Sequence, residues 1–98
     1  MNEAGMAVEK MEMFVPCRRG LHLRAAARFV GCVQKFSSSI QVRKGDVIAN
    51  AKSILDLLCL GAAWRSRLQV EAVGDDAAQA LESIKEFFSE KNVTVDWP

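Results

Sequence analysis

The 98-residue sequence predicts an α+β fold, a two-layer open-faced β-sandwich in βαββαβα order, with a four-stranded sheet covered on one face by three helices. Three observations carry this expectation. Short segments alternate apolar and polar residues at the strand period. Longer segments between them repeat apolar residues at the helical period. Turn signals separate the two kinds, with no internal repeat and no low-complexity linker.

Residues 1–9 are small and polar and are expected to form a flexible leader. Met11–Cys17 alternates, with Met13, Val15 and Cys17 on one side and Glu12 opposite, and reads as a half-buried strand ended by Pro16 and the charged turn Arg18-Arg19-Gly20. A first helix follows and is expected to stop near Phe36, before Ser37-Ser38-Ser39. Leu23, Ala26, Ala27, Val30 and Val33 give its apolar stripe, which Phe29 and Phe36 widen. Ile40 and Val42 alternate with Gln41 and Arg43 in a second strand, and Lys44-Gly45-Asp46 reads as a tight hairpin turn into a short return strand, Val47–Ala51. Ser53 is placed to cap a brief helix, Ile54–Leu60, and Gly61 to end it. Leu68, Val70 and Ala72 alternate with Gln69 and Glu71 in the last strand. Gly74-Asp75-Asp76 then supplies an acidic cap to a helix whose apolar face is Ala77, Ala80, Leu81, Ile84, Phe87 and Phe88. The folded domain is thus expected over residues 10–91, with 92–98 as a carboxyl-terminal tail that frays or lays Trp97 on the body.

Composition narrows the function. The chain is 50% hydrophobic and 26% charged with a net charge of +1, which suits one globular domain and gives no reason to expect nucleic acid or an anionic membrane as partner. The amino terminus lacks a basic region followed by an apolar run, and no apolar run is long enough to cross a bilayer, so no membrane insertion and a cytoplasmic location are expected. Cys17, Cys32 and Cys59 are odd in number and far apart, and with a single histidine they make no zinc pattern. They read as reduced, partly buried thiols, Cys59 as a small apolar filler. No metal and no cofactor is expected, and without a glycine-rich nucleotide loop an independent small-molecule enzyme is disfavoured.

The chemistry concentrates in RRGLHLRAAARFVGCVQKF, residues 18–36. His22, the one histidine, follows a glycine and precedes the helical run, so it falls at the cap or first turn, where backbone N–H groups lack partners within the helix. Such an end attracts anions, phosphate above all. Arg24 follows two residues on, Arg18 and Arg19 precede the turn, and Arg28 lies one turn later. His22 reads either as a surface residue that caps a helix or as a nucleophile in an anion cradle. Arg24 is either a solvated charge or a bidentate phosphate partner. Arg18, Arg19 and Arg28 read as solubilising charges or contacts to an acidic partner. Ile54, Leu55, Leu57, Leu58 and Leu60 crowd one short helix. Leu57 and Leu60 fit the inward side, leaving Ile54, Leu55 and Leu58 nearer the surface as a docking patch, a seat for the Trp97 tail or a dimer contact.

Gly20-Leu21-His22-Leu23-Arg24, the run Ala51-Lys52-Ser53-Ile54-Leu55 continuing to Leu60-Gly61, and the closing strand and acidic-capped helix resemble the HPr family, the histidine-containing phosphocarriers of the bacterial phosphoenolpyruvate-dependent phosphotransferase system. The resemblance covers Lys10 to Lys91 without an evident gap. It implies an antiparallel sheet and a monomeric carrier, not an enzyme. In that carrier His22 accepts a phosphoryl group on Nδ1 from phosphorylated enzyme I and passes it to a sugar-permease or regulatory phosphotransferase protein. It further implies that Arg24 stabilises the phosphate and that Ile54, Leu55 and Leu58 dock partners. Ser53 would be a regulatory site for an ATP-dependent serine kinase/phosphorylase, and its phosphorylation would weaken transfer. Two positions depart from the family pattern. Ala25 stands where proline usually follows the arginine, and Leu23 stands where a small or hydroxyl residue is preferred, which places an apolar group beside the site and among the partner contacts. The alternative is a regulatory protein-binding module of the same fold, whose phosphorylation state controls partner choice.

Overall fold

A computed structural model describes residues 7–16, 19–63 and 65–88. In chain order the elements are β1 (Ala7–Phe14), α1 (Leu23–Val33), β2 (Ser39–Lys44), β3 (Val47–Asn50), α2 (Ile54–Cys59), β4 (Arg67–Gly74) and α3 (Ala77–Phe87). This is the expected βαββαβα succession. The strands form one sheet in the order β1-β4-β2-β3 with every neighbouring pair antiparallel.

Register explains which side is covered. Met11 lies opposite Val70, and Val70 opposite Val42, so one rank of apolar side chains crosses three strands. Ile40, Val42, Ala49, Leu68, Val70 and Ala72 are buried beneath the helices. The alternate residues, among them Lys10, Glu12, Gln41, Arg43, Gln69 and Glu71, belong to the opposite, open face, because side chains in a strand alternate between faces. Helix α1 contributes Ala25, Ala26, Phe29, Val30 and Val33 to the core, α2 contributes Leu57, and α3 contributes Ala77, Ala80, Leu81 and Ile84. The Phe29 ring meets Phe87 edge-on at 5.7 Å and Phe88 at 5.5 Å, which joins α1 to the end of α3.

Several boundaries differ from the sequence expectation. Strand β1 begins at Ala7, inside the stretch expected as leader, and ends at Phe14 rather than Cys17, which lies outside the described residues. Its extent is set by continuous pairing with β4 from Ala7–Gly74 to Phe14–Arg67, not by its own alternation. Val15 leaves the ladder to bond the loop before β4, donating to Ser66 O at 3.0 Å. Helix α1 stops at Val33 rather than Phe36, where the Phe36 N–H turns back to Val33 O at 3.1 Å. Its buried stripe includes Ala25, whereas Leu23 and Ala27 face solvent. Strand β3 ends at Asn50 and helix α2 at Cys59, with Leu60 as its carboxyl-terminal cap. Cys59 is exposed, so it fills no core space, while Cys32 is half-buried with Sγ 3.3 Å from Ser83 Oγ. The tail, including Trp97, lies outside the described residues.

Asp76 occupies the cap position of α3, but its side chain does not cap that helix. The carboxylate instead accepts from the Ser37 N–H at 2.9 Å, from the Ser38 N–H at 3.0 Å and from the Ser38 hydroxyl. These bonds, the Ser38 hydroxyl foremost, hold the Asp76 carboxyl down from 3.8 to about 2. The connection from α1 into β2 is thereby fastened to the start of α3. Gly74 completes the fastening with φ of 150°, since a Cβ there would stand 2.5 Å from Ser38 Oγ.

Candidate functional site: a histidine at the amino end of a helix

Two loops run side by side beneath the site. Arg65 donates its N–H to Val15 O at 2.8 Å, and Leu21 donates to Ala62 O at 2.9 Å. Gly20, at φ 79°, passes so close that an added Cβ would lie 2.8 Å from Ala62 O and 3.2 Å from Ala63 Cα. Arg65 is the non-glycine residue with positive φ, 71°, among the described residues, a strained conformation retained where the loop bonds to Val15. Leu21 is buried, and the chain then rises directly into α1.

His22 is the amino-terminal cap of α1, in extended backbone (φ −85°, ψ −173°), and its carbonyl accepts the Ala26 N–H at 2.8 Å. Its ring Nδ1 accepts the Arg24 N–H at 3.3 Å. That bond requires the Nδ1 lone pair, so the neutral ring carries its proton on Nε2. Nε2 is shielded from solvent and has no hydrogen-bond partner among the described residues. The two nitrogens therefore face different surroundings. Nδ1 meets the Arg24 amide in the first turn of the helix, and Nε2 is turned inward.

Arg24 is exposed, and among the described residues no hydrogen bond or ion pair engages its guanidinium. Arg19 and Arg28 are also exposed, whereas Arg18 lies outside the described residues. Ala25 is fully buried beneath the first turn. Leu23 is 62% exposed, so the residue that departs from the family pattern does stand at the surface beside His22.

Helix α2 packs against α1. Ser53 caps it in extended backbone (φ −117°, ψ 114°), its Oγ accepting the Asp56 N–H at 3.2 Å. Leu57 and Leu60 point inward, with Leu57 wholly buried, while Leu55 is 73% exposed and Ile54 and Leu58 are half-buried. The patch expected on this helix thus centres on Leu55. Asp56 was not singled out by apolar spacing, although Ser53-x-x-Asp56 is a capping pattern that would have pointed to it. Its carboxylate accepts the Asn50 N–H at 3.0 Å, which ties α2 to the end of β3.

Comparison with known proteins places this arrangement. A family model described as the PTS HPr component phosphorylation site matches residues 9–90. The phosphocarrier protein HPr of Neisseria meningitidis serogroup A is 34% identical over 70 residues, which are 71% of this chain and 79% of that protein. The multiphosphoryl transfer protein of Xanthomonas campestris pv. campestris is 38% identical over 77 residues, 79% of this chain but 9% of the length of that much longer relative. Among solved structures, HPr-C-His from Thermoanaerobacter tengcongensis superposes with a TM-score of 0.81 at 34% identity, covering 85% of this chain and 93% of that one. With a histidine seated at a helix amino end on this fold, the chain belongs to the HPr family of phosphocarrier proteins of the phosphotransferase system.

Proposed function

We propose that this chain is a monomeric cytoplasmic carrier that takes a phosphoryl group on His22 Nδ1 from phosphorylated enzyme I and delivers it to a sugar-permease or regulatory phosphotransferase protein. The observation that carries the proposal is the orientation of the His22 ring, with the Nδ1 lone pair on the Arg24 amide and Nε2 turned inward. Transfer begins when the Nδ1 lone pair attacks phosphorus. The phosphorus–nitrogen bond of the donor phosphohistidine breaks, its electron pair returns to the donor imidazole, and the His22 ring keeps its Nε2 proton. The Arg24 N–H, held at a long 3.3 Å, passes from Nδ1 to a phosphate oxygen with little loss. The Arg24 guanidinium adds charge-assisted bonds to the same group. Because the phosphoryl unit is already activated, orientation and charge stabilisation suffice, and no general acid or base is needed.

Leu23, Ile54, Leu55 and Leu58 form the docking surface in this proposal, supported by the exposure of Leu23 and Leu55. Ser53 is the site of a serine kinase, and a phosphorylase would reverse it. A phosphate at the amino end of α2 is compatible with the helix but places two negative charges beside the docking leucines. Ser53→Asp should therefore stay folded and accept phosphate more slowly. Incubation with enzyme I and phosphoenolpyruvate tests the whole. The expected product is an acid-labile, base-stable phosphate that His22→Ala abolishes. Binding of enzyme I without transfer would replace the carrier by a regulatory binding module.

A further inference from the structure

The segments that build the site are strongly one-signed. Among the described residues of 19–36 and 51–66, the charged side chains are Arg19, Arg24, Arg28, Lys35, Lys52 and Arg65, against a single carboxylate, Asp56. A basic surface of this kind favours an acidic partner through long-range attraction that raises the encounter rate. Asp56 is the exception, and its position is not incidental. It is exposed in the first turn of α2, next to Leu55, the most exposed large apolar residue of the described chain. Its carboxylate is held in place by the Asn50 N–H at 3.0 Å, and its own N–H is held by Ser53 Oγ at 3.2 Å. A fixed negative charge and the Ser53 hydroxyl thus belong to one capping unit.

We infer that Asp56 is a specificity-determining residue that acts as a permanent partial brake on docking. It applies to every acidic partner part of the repulsion that a phosphate on Ser53 would apply in full. The inference rests on the carrier proposal. It makes the protein a slower acceptor than its basic surface alone would allow.

Asp56→Asn separates charge from structure, because the side-chain carbonyl can still accept the Asn50 N–H. Initial rates of His22 phosphorylation by enzyme I and phosphoenolpyruvate would be followed as carrier concentration is varied, at low and at high salt. The expected result is a KM about two- to five-fold lower with kcat unchanged, the range of one surface charge interaction, and a gain that disappears at high salt. Asp56→Lys should widen the gain. An unchanged or higher KM in a folded Asp56→Asn protein, or a gain that survives high salt, overturns the inference and leaves the carrier proposal standing. Failure of the unaltered chain to take up phosphate overturns both.

Discussion

The position of His22 depends on a backbone approach that one methyl group should disrupt. In Gly20→Ala the new Cβ would meet Ala62 O at 2.8 Å and Ala63 Cα at 3.2 Å, both backbone atoms that no rotamer change can move. The φ of 79° adds about 1–2 kcal/mol for an L side chain. Separating the two loops weakens the Leu21–Ala62 hydrogen bond, a further ~1 kcal/mol. The sum is about 2–3 kcal/mol, a large share of the ~5–15 kcal/mol expected for a domain of this size. Urea denaturation should show the midpoint falling by about 1–2 M at unchanged slope. Gly31→Ala is the internal control. Gly31 lies within α1, its φ is not positive, and a Cβ there meets nothing within 4 Å. That variant should gain about 0.5–1 kcal/mol. If Gly20→Ala loses less than about 0.5 kcal/mol, or moves in the same direction as Gly31→Ala, the close approach is not what seats the histidine. A folded Gly20→Ala protein should also transfer phosphate more slowly, since its strain falls two residues before His22.

Arg24→Lys keeps the charge but loses the planar fork. Loss of one charge-assisted bond, ~1.4 kcal/mol, predicts about ten-fold slower transfer in a rapid-quench assay at unchanged melting temperature. Leu57→Ala should cost about 2–5 kcal/mol in denaturant titration because the side chain is fully buried. Leu55→Ala, two residues away but exposed, should stay within about 0.5 kcal/mol of the parent while raising the KM for transfer. The Asp76 fastening predicts an acid limb. Its folded pKa lies below the unfolded value, so its stabilisation is complete above about pH 4 and is lost as the pH falls from 3.8 towards about 2. Asp76→Asn should flatten thermal stability against pH in that window, and an unchanged acid limb would remove the role given to the Ser37 and Ser38 bonds.

Residue patterning carried the element order because each element has its own period. The alternation of Ile40 and Val42 or of Leu68 to Ala72, and the helical repeat through Val30 and Val33, survive packing unchanged. The inward turn of Leu57 and Leu60 was readable for the same reason. His22 could be placed at a helix start from its glycine and the alanines behind it, and the motif around it carried the family. The short α2 was bounded within one residue by Ser53 and Gly61, since caps are local signals.

What depended on partners distant in the chain could not be read along it. Strand β1 reaches back to Ala7 because β4, some sixty residues later, offers a full antiparallel edge, and its own alternation is silent on that. Asp76 looks like a helix cap in sequence, yet its oxygens go to Ser37 and Ser38, thirty-nine and thirty-eight residues away, because the fold brings three donors to one carboxylate. Leu23 fits a helical stripe but faces solvent, since the phase of that stripe is set by the body against which α1 packs. By itself, then, the sequence determined the elements, their succession and the place of His22 at the start of α1, all of which follow from neighbours within a turn or two. Only the tertiary structure decided which ring nitrogen meets the helix amides, which leucines are exposed beside it and what the acidic side chains hold, because those depend on directions fixed by long-range packing.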